Sequence, residues 1–248
     1  AVSPAIMLPP ALASTAACLS AGCLAPLPAA CLLSLSASTP AYAHQPEPLL
    51  RAATMRWFST MVVGHNLCPF AASAEPALRL AVLRERASLD ASLSEEIGRL
   101  LAAPPHREAT TLLLLPGAAF FEFEALMEYL PHAQAIADTI AARAPIKVLP
   151  FHPEAVYSEA SEDPADFATR SPVPILHLLR ESDVDAAEEQ WREAHPEPLY
   201  IQERNAAYLR GLGWEKLQSI AQAACPWSST ASPQDCTGDA LSSDGGCS

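Results

Sequence analysis

Four side chains in the middle of this 248-residue chain could do chemistry: one thiol, Cys68, two imidazoles, His152 and His177, and one guanidinium, Arg170. A thiol that a positive neighbour keeps ionised is a nucleophile, a redox centre or a metal ligand. Unactivated, it is a small apolar plug that seals a helix end. His152 stands before Pro153 at the end of an apolar run. A neutral imidazole there accepts a proton or binds a metal, or it simply holds a loop carbonyl. Thr169-Arg170-Ser171-Pro172 offers a planar fork of donors, two hydroxyls and backbone amides, which suits a carboxylate or phosphate. The competing role for Arg170 is an ion pair with Asp163, Asp166 or Glu181 that pins the surrounding loop. His177, Arg180 and Glu181 follow, and the carboxylate shares a face with the imidazole whether the stretch is helix or strand.

Together these groups define a small-molecule site as the leading expectation. Cys68, His152 and His177 are its catalytic candidates. Asn66, Arg170, Ser171, Arg180, Glu181 and Asn205 are the candidates that bind an anionic ligand. Two other classes stay open. One is a non-catalytic assembly or interaction protein, in which the same residues lock a loop. The other is a mononuclear metal site built from Cys68, His152, His177 and one carboxylate, although no ligand pair is local in sequence and no C-x-x-C occurs. No Gly-rich phosphate loop, G-x-S-x-G turn, H-E-x-x-H or G-x-G-x-x-G is present, which disfavours the usual nucleotide-dependent and serine-hydrolase chemistries. Nothing in the sequence specifies a cofactor or a protein partner.

The elements that must position these groups are readable from periodicity. Trp57, Phe58, Met61, Val62 and His65 recur at three- and four-residue spacing, so Leu50 to His65 reads as a helix. Pro69 ends helical geometry at Cys68 and leaves the thiol in a turn. Strands are expected at Leu78–Arg84, Thr110–Leu115 and Ile146–Phe151, and helices at Ala87–Ala102 and at Phe120–Ala142, the latter broken or kinked near Pro131. A loop of some twenty residues follows the third strand, a length common in functional segments. Ile175–Arg180 fits helix or strand. Ser182 is the expected N-cap of a helix over Asp183–Glu193, and a last helix over Leu199–Leu212 stops at Gly213. The expected fold is α/β or α+β: one domain over residues 47–216, with a small, mainly three-stranded sheet flanked by helices.

Four separated blocks recur in a recognisable order: Asn66-Leu-Cys-Pro-Phe70, Phe151-His-Pro153, Thr169-Arg-Ser-Pro172 with His177-Leu-Leu-Arg-Glu181, and Ile201-Gln-Glu-Arg-Asn205 with Leu209-Arg210. The chain thereby resembles the family termed domain of unknown function fourteen-fifteen, which occurs in bacteria and in photosynthetic eukaryotes. Val173 stands where that family usually carries an aromatic residue between the two prolines. The resemblance implies no activity.

Composition sets outer limits. Of the 28 acidic residues only Asp235, Asp239 and Asp244 lie beyond residue 216, so 25 acids face all 15 Lys and Arg within the expected domain. Such a surface repels phosphate backbones and argues against nucleic-acid binding. Residues 1–46 contain no Asp, Glu, Lys or Arg and are rich in Ala, Ser, Leu and Pro. They read as a disordered targeting segment for a chloroplast, with another organelle or secretion as the alternative. Ala41-Tyr42-Ala43 fits a small-x-small cleavage site, which would suit the thylakoid lumen. Prolines interrupt the apolar runs, so no membrane span is expected in the mature protein. Residues 217–248 turn to Ser, Asp, Gly and Cys and read as a disordered tail. Six of the seven cysteines fall in these two end segments, so packing, not disulfides, must hold the domain together.

Overall fold

The computed structural model describes residues 39–104, 109–160, 162–194 and 200–227. Among these residues a single sheet has four strands, β1 (Leu78–Val82), β2 (Thr110–Leu114), β3 (Ile146–Phe151) and β4 (Ile175–Arg180), in the order β1-β2-β4-β3. This is one strand more than the sequence reading counted, and the added one is central. All six residues of β4 are buried. A strand covered on both faces shows no polar–apolar alternation, so its pattern cannot be told from a short buried helix.

β1 and β2 are parallel, while β4 runs antiparallel to both β2 and β3. Alternation along β4 divides its side chains between two cores. Leu176 and Leu178 pack with Leu113, Leu115, Ile146 and Val148 beneath two helices, which carry Leu93, Ile97, Leu126 and Ala133. Ile175 lies on the other face with Leu80, Leu112 and Leu114, beneath Leu50, Trp57, Leu209 and Leu217.

Seven α-helices cover the sheet: α1 (Glu47–Trp57), α2 (Ala71–Ala74), α3 (Leu89–Ala102), α4 (Phe123–Ile140), α5 (Glu181–Ala194), α6 (Ile201–Leu212) and α7 (Trp214–Ala224), counted among the described residues. α4 continues through Pro131 instead of breaking there. Pro131 is exposed, so water can satisfy the carbonyl that it leaves unpaired. α5 begins at Glu181, directly after β4, and therefore takes in Ser182, the residue expected to cap it. Gly213, with φ of 82°, ends α6 and lets the chain restart at once as α7. Leu217 and Ala224 of α7 are buried. The expected boundary at residue 216 therefore falls inside a packed helix, and residues 217–224 belong to the fold.

The expected first helix changes character halfway. After Trp57 it becomes a π-helix over Phe58–Val63, with Gly64 N–H donating to Ser59 O and Leu67 N–H to Val62 O. A Cβ on Gly64 would stand 2.4 Å from Thr60 O, so this wide turn requires glycine there. Upstream, Ala41–His44 forms a 3-10 turn with Tyr42 buried edge-on against Phe121. Arg84 donates to the carbonyls of Ala43 and Gln45. The expected targeting segment lies outside the described residues as far as residue 38, and the expected tail does so from residue 228.

The long loop after β3 is held by its own acids. Asp163 accepts from Ala165 N–H and caps the 3-10 turn Pro164–Ala168. The buried Asp166 carboxylate accepts from the amides of Tyr157 and Ser158 and from the Ser158 hydroxyl. Two of the carboxylates that give this stretch its polar composition, Asp163 and Asp166, are therefore spent on its backbone order.

Candidate functional site

Between the second face of the sheet and the segments around it lies a cavity of about 340 Å³, at the lower end of the range of ligand pockets, about 300–1,000 Å³. Its wall is mostly apolar and is built from the end of α1, the π-helical segment, the turn before α2, α2, β2, β3, the loop after β3, β4, α5 and the first two turns of α6. Two of the four groups singled out in the sequence, Cys68 and His177, line it together, and Asn205 joins them.

His177 faces the cavity because alternation along β4 turns it away from Leu176 and Leu178. It pairs with Leu112 on β2 and Leu149 on β3. Its Nε2 is 2.6 Å from Thr110 Oγ1, and that hydroxyl donates to Leu178 O at 3.0 Å. Thr110 has one proton and a carbonyl can only accept, so His177 donates from Nε2 and carries a lone pair on Nδ1. Among the described residues Nδ1 meets no protein donor. Burial with no compensating charge lowers the His177 pKa to about 3. This imidazole is a neutral acceptor at any physiological pH.

Cys68 is set in place by the turn before α2. Asn66 adopts φ of 51°, a conformation that Asn tolerates better than most residues. Asn205 Nδ2 donates to Leu67 O at 2.6 Å, and Arg204 donates both to Asn66 O and to Asn205 Oδ1. Asn66 and Asn205 thus act on the thiol through the backbone of its turn. Burial pushes the Cys68 thiol up, against a smaller opposite pull from the Phe70 and Ala71 amides. It is a protonated thiol and not an activated nucleophile.

His152, Arg170, Ser171 and Arg180 lie elsewhere, each hydrogen-bonded to backbone. His152 is fully buried. Its Nε2 lies 3.0 Å from Phe120 O and its Nδ1 accepts from Glu154 N–H at 3.0 Å, so backbone occupies both ring nitrogens. Arg170 donates from Nε to Ala155 O and lies over the rings of Trp214, at 4.6 Å, and Phe167, at 5.2 Å. It makes none of the ion pairs expected of it: Asp163 binds Arg210 instead, Asp166 binds loop amides, and Glu181 lies 4.0 Å from Lys147. Ser171 donates to Val173 O. Arg180 binds Asp183 and two carbonyls at the end of α3. The common hollow expected for one sulfur, two imidazoles and a guanidinium therefore holds only the sulfur and one imidazole.

Three wall residues were not singled out from sequence. Thr110, at the head of β2, is an ordinary strand threonine until β4 is known to lie beside it. Trp57 read as a core residue of the first helix; it packs edge-on against Phe151, and its indole N–H is buried without an acceptor. Glu188 had a legible signal. It sits four residues after the buried Val184 on the inward face of α5, where a carboxylate is out of place. Burial raises its pKa.

No group of three or more His, Cys, Asp and Glu able to hold a metal occurs among the described residues, and none of their helices is long and apolar enough to cross a membrane. No curated protein and no solved structure matches the chain. Residues 50–219 match the family described as Protein of unknown function (DUF1415).

Proposed function

The chain belongs to this family of unknown function, and we propose that its domain is a binding protein for a compact, largely apolar small molecule that donates a hydrogen bond to His177. The observation that carries this reading is the cavity, whose apolar wall holds His177, bonded to Thr110 through Nε2 and with no partner for Nδ1 among the described residues. Convergent polar groups in an apolar hollow are the usual form of a ligand site. An anionic ligand fits this wall poorly. Among the described lining residues there is no Lys or Arg, and Glu188 carries the only charge. Arg170, the anion binder expected from sequence, is held outside by stacking. Binding is favoured over catalysis, because a raised thiol and an imidazole titrating at about 3 supply neither nucleophile nor base at neutral pH.

N-phenyl-1-naphthylamine, a neutral apolar fluorophore with one N–H, tests the reading directly. The purified protein is expected to bind it saturably at one site. Leu149→Trp, which fills the space beside His177, should weaken binding at least about tenfold without lowering the unfolding temperature by more than a few degrees. Equal binding by both proteins would refute the assignment.

For the compartment we retain a chloroplast, on the acid-free composition of residues 1–46, with one revision. Processing after Ala43 would remove Tyr42, which is buried against Phe121, so the mature protein is expected to keep Tyr42. N-terminal sequencing of protein from the organelle should start at or before residue 42, and a start at His44 would disprove the revision.

A further inference from the structure

We infer that the ligand of this cavity is a cation, an apolar molecule ending in a protonated amine whose ammonium group is held by Glu188. This rests on the binding role proposed above and adds the chemical class of the ligand. The first support is an inventory of what the wall has left to offer. Its hydroxyl protons are committed: Thr110 donates to Leu178 O, Thr169 to Asp166 O and Tyr157 to the Met127 sulfur. Trp57 Nε1 has no partner, but it lies sealed beneath the wall. Accepting capacity remains at the cavity on His177 Nδ1 and on the Glu188 carboxylate, beside one N–H of Asn205, whose amide also donates to Leu67 O. A ligand that brings donors satisfies both acceptors, and a ligand that brings a carboxylate satisfies neither.

The second support is charge. The Glu188 side chain is only 16% exposed, and its ion-pair partner Arg192 lies 3.7 Å away with 65% of its side chain in solvent. So exposed an arginine offsets little of the cost of a desolvated carboxylate, and Lys147, the other cation acting on Glu188, lies against Glu181. An ammonium entering the cavity would meet Glu188 in a poorly hydrated setting where the attraction is stronger. At longer range the chain carries a net charge of −13, which draws cations toward the protein and turns anions away.

Three probes with one apolar body separate the head group from the cavity: 4-phenylbutylamine, 4-phenyl-1-butanol and 4-phenylbutyrate, measured at pH 7 by calorimetry or by displacement of N-phenyl-1-naphthylamine. The amine is expected to bind about tenfold more tightly than the alcohol, and the carboxylate more weakly than either. Glu188→Gln should remove the amine's advantage, bringing the ratio of amine to alcohol affinity on the variant close to one. If the alcohol binds and the amine is no better, or if Glu188→Gln leaves the amine's advantage intact, the cationic ligand is refuted while the apolar site stands. If none of the three binds, the binding role itself is refuted.

Discussion

Lowering the pH from 6.5 to about 4.5 is expected to remove about 2 kcal/mol of stability through His177 alone. The imidazole is neutral in the fold because burial drops its pKa to about 3, whereas in the unfolded chain it titrates near 6.5. Above that pH neither state takes the proton and the fold keeps its full stability. Below it the unfolded state is protonated and the folded state is not. Stability then falls by about 1.4 kcal/mol per pH unit until the folded group itself titrates near pH 3. His152 is lowered by burial as well and adds to the slope, so the informative quantity is a difference between proteins. His177→Gln keeps an amide N–H able to reach Thr110 and cannot titrate. Urea unfolding at pH 7, 5.5 and 4.5 should show a pH dependence shallower by one proton in the variant. Parallel curves would mean that water reaches the ring in the fold, and the dry acceptor on which the site depends would be gone.

How much of this was legible in the sequence depends on whether an element or a contact was being read. Strands β1, β2 and β3 and helices α3, α4 and α6 announced themselves by periodicity or by an apolar run of strand length, because each is long or amphipathic enough to leave a pattern. β4 did not, since full burial erases alternation, and with it went the sheet order and the placing of His177 between Leu112 and Leu149. α7 was passed over because Ala, Gln and Ser make its composition resemble that of the tail, although Trp214, Leu217, Ile220 and Ala224 keep helical spacing. The polar candidates are the deeper case. His152, Arg170, Ser171 and Arg180 have the atoms a ligand would need, but a sequence does not show that Phe120 O, Ala155 O, Val173 O and Ala103 O have claimed them first. A buried side chain able to donate several hydrogen bonds is as useful for ordering a loop as for binding a substrate. The atoms left unspent, on His177 and Glu188 and not on Arg170, mark the candidate site.

Arg180 gives that distinction its largest expected effect. It stands at the end of β4, with its guanidinium on Asp183 at 2.7 Å and on the carbonyls of Ala103 and Pro104 at 3.2 Å. Both charged side chains are about nine-tenths buried. Arg180→Ala would strand a buried carboxylate and uncover the two carbonyls just past α3, at an expected cost of about 3–5 kcal/mol in urea unfolding. The pair is not valuable merely for being charged, since desolvation consumes most of the attraction. Arg180→Met combined with Asp183→Leu should therefore recover most of the loss, and a single variant costing less than about 1 kcal/mol would place the pair in solvent. Arg180 governs the cavity only by fixing where α5 begins, and α5 carries Val184 and Glu188 to its wall. In the double variant, once folded, N-phenyl-1-naphthylamine should bind as it does to the parent protein. A ligand-binding arginine could not be replaced by methionine without loss of affinity, so that measurement separates a residue that positions the wall from one that touches what the wall holds.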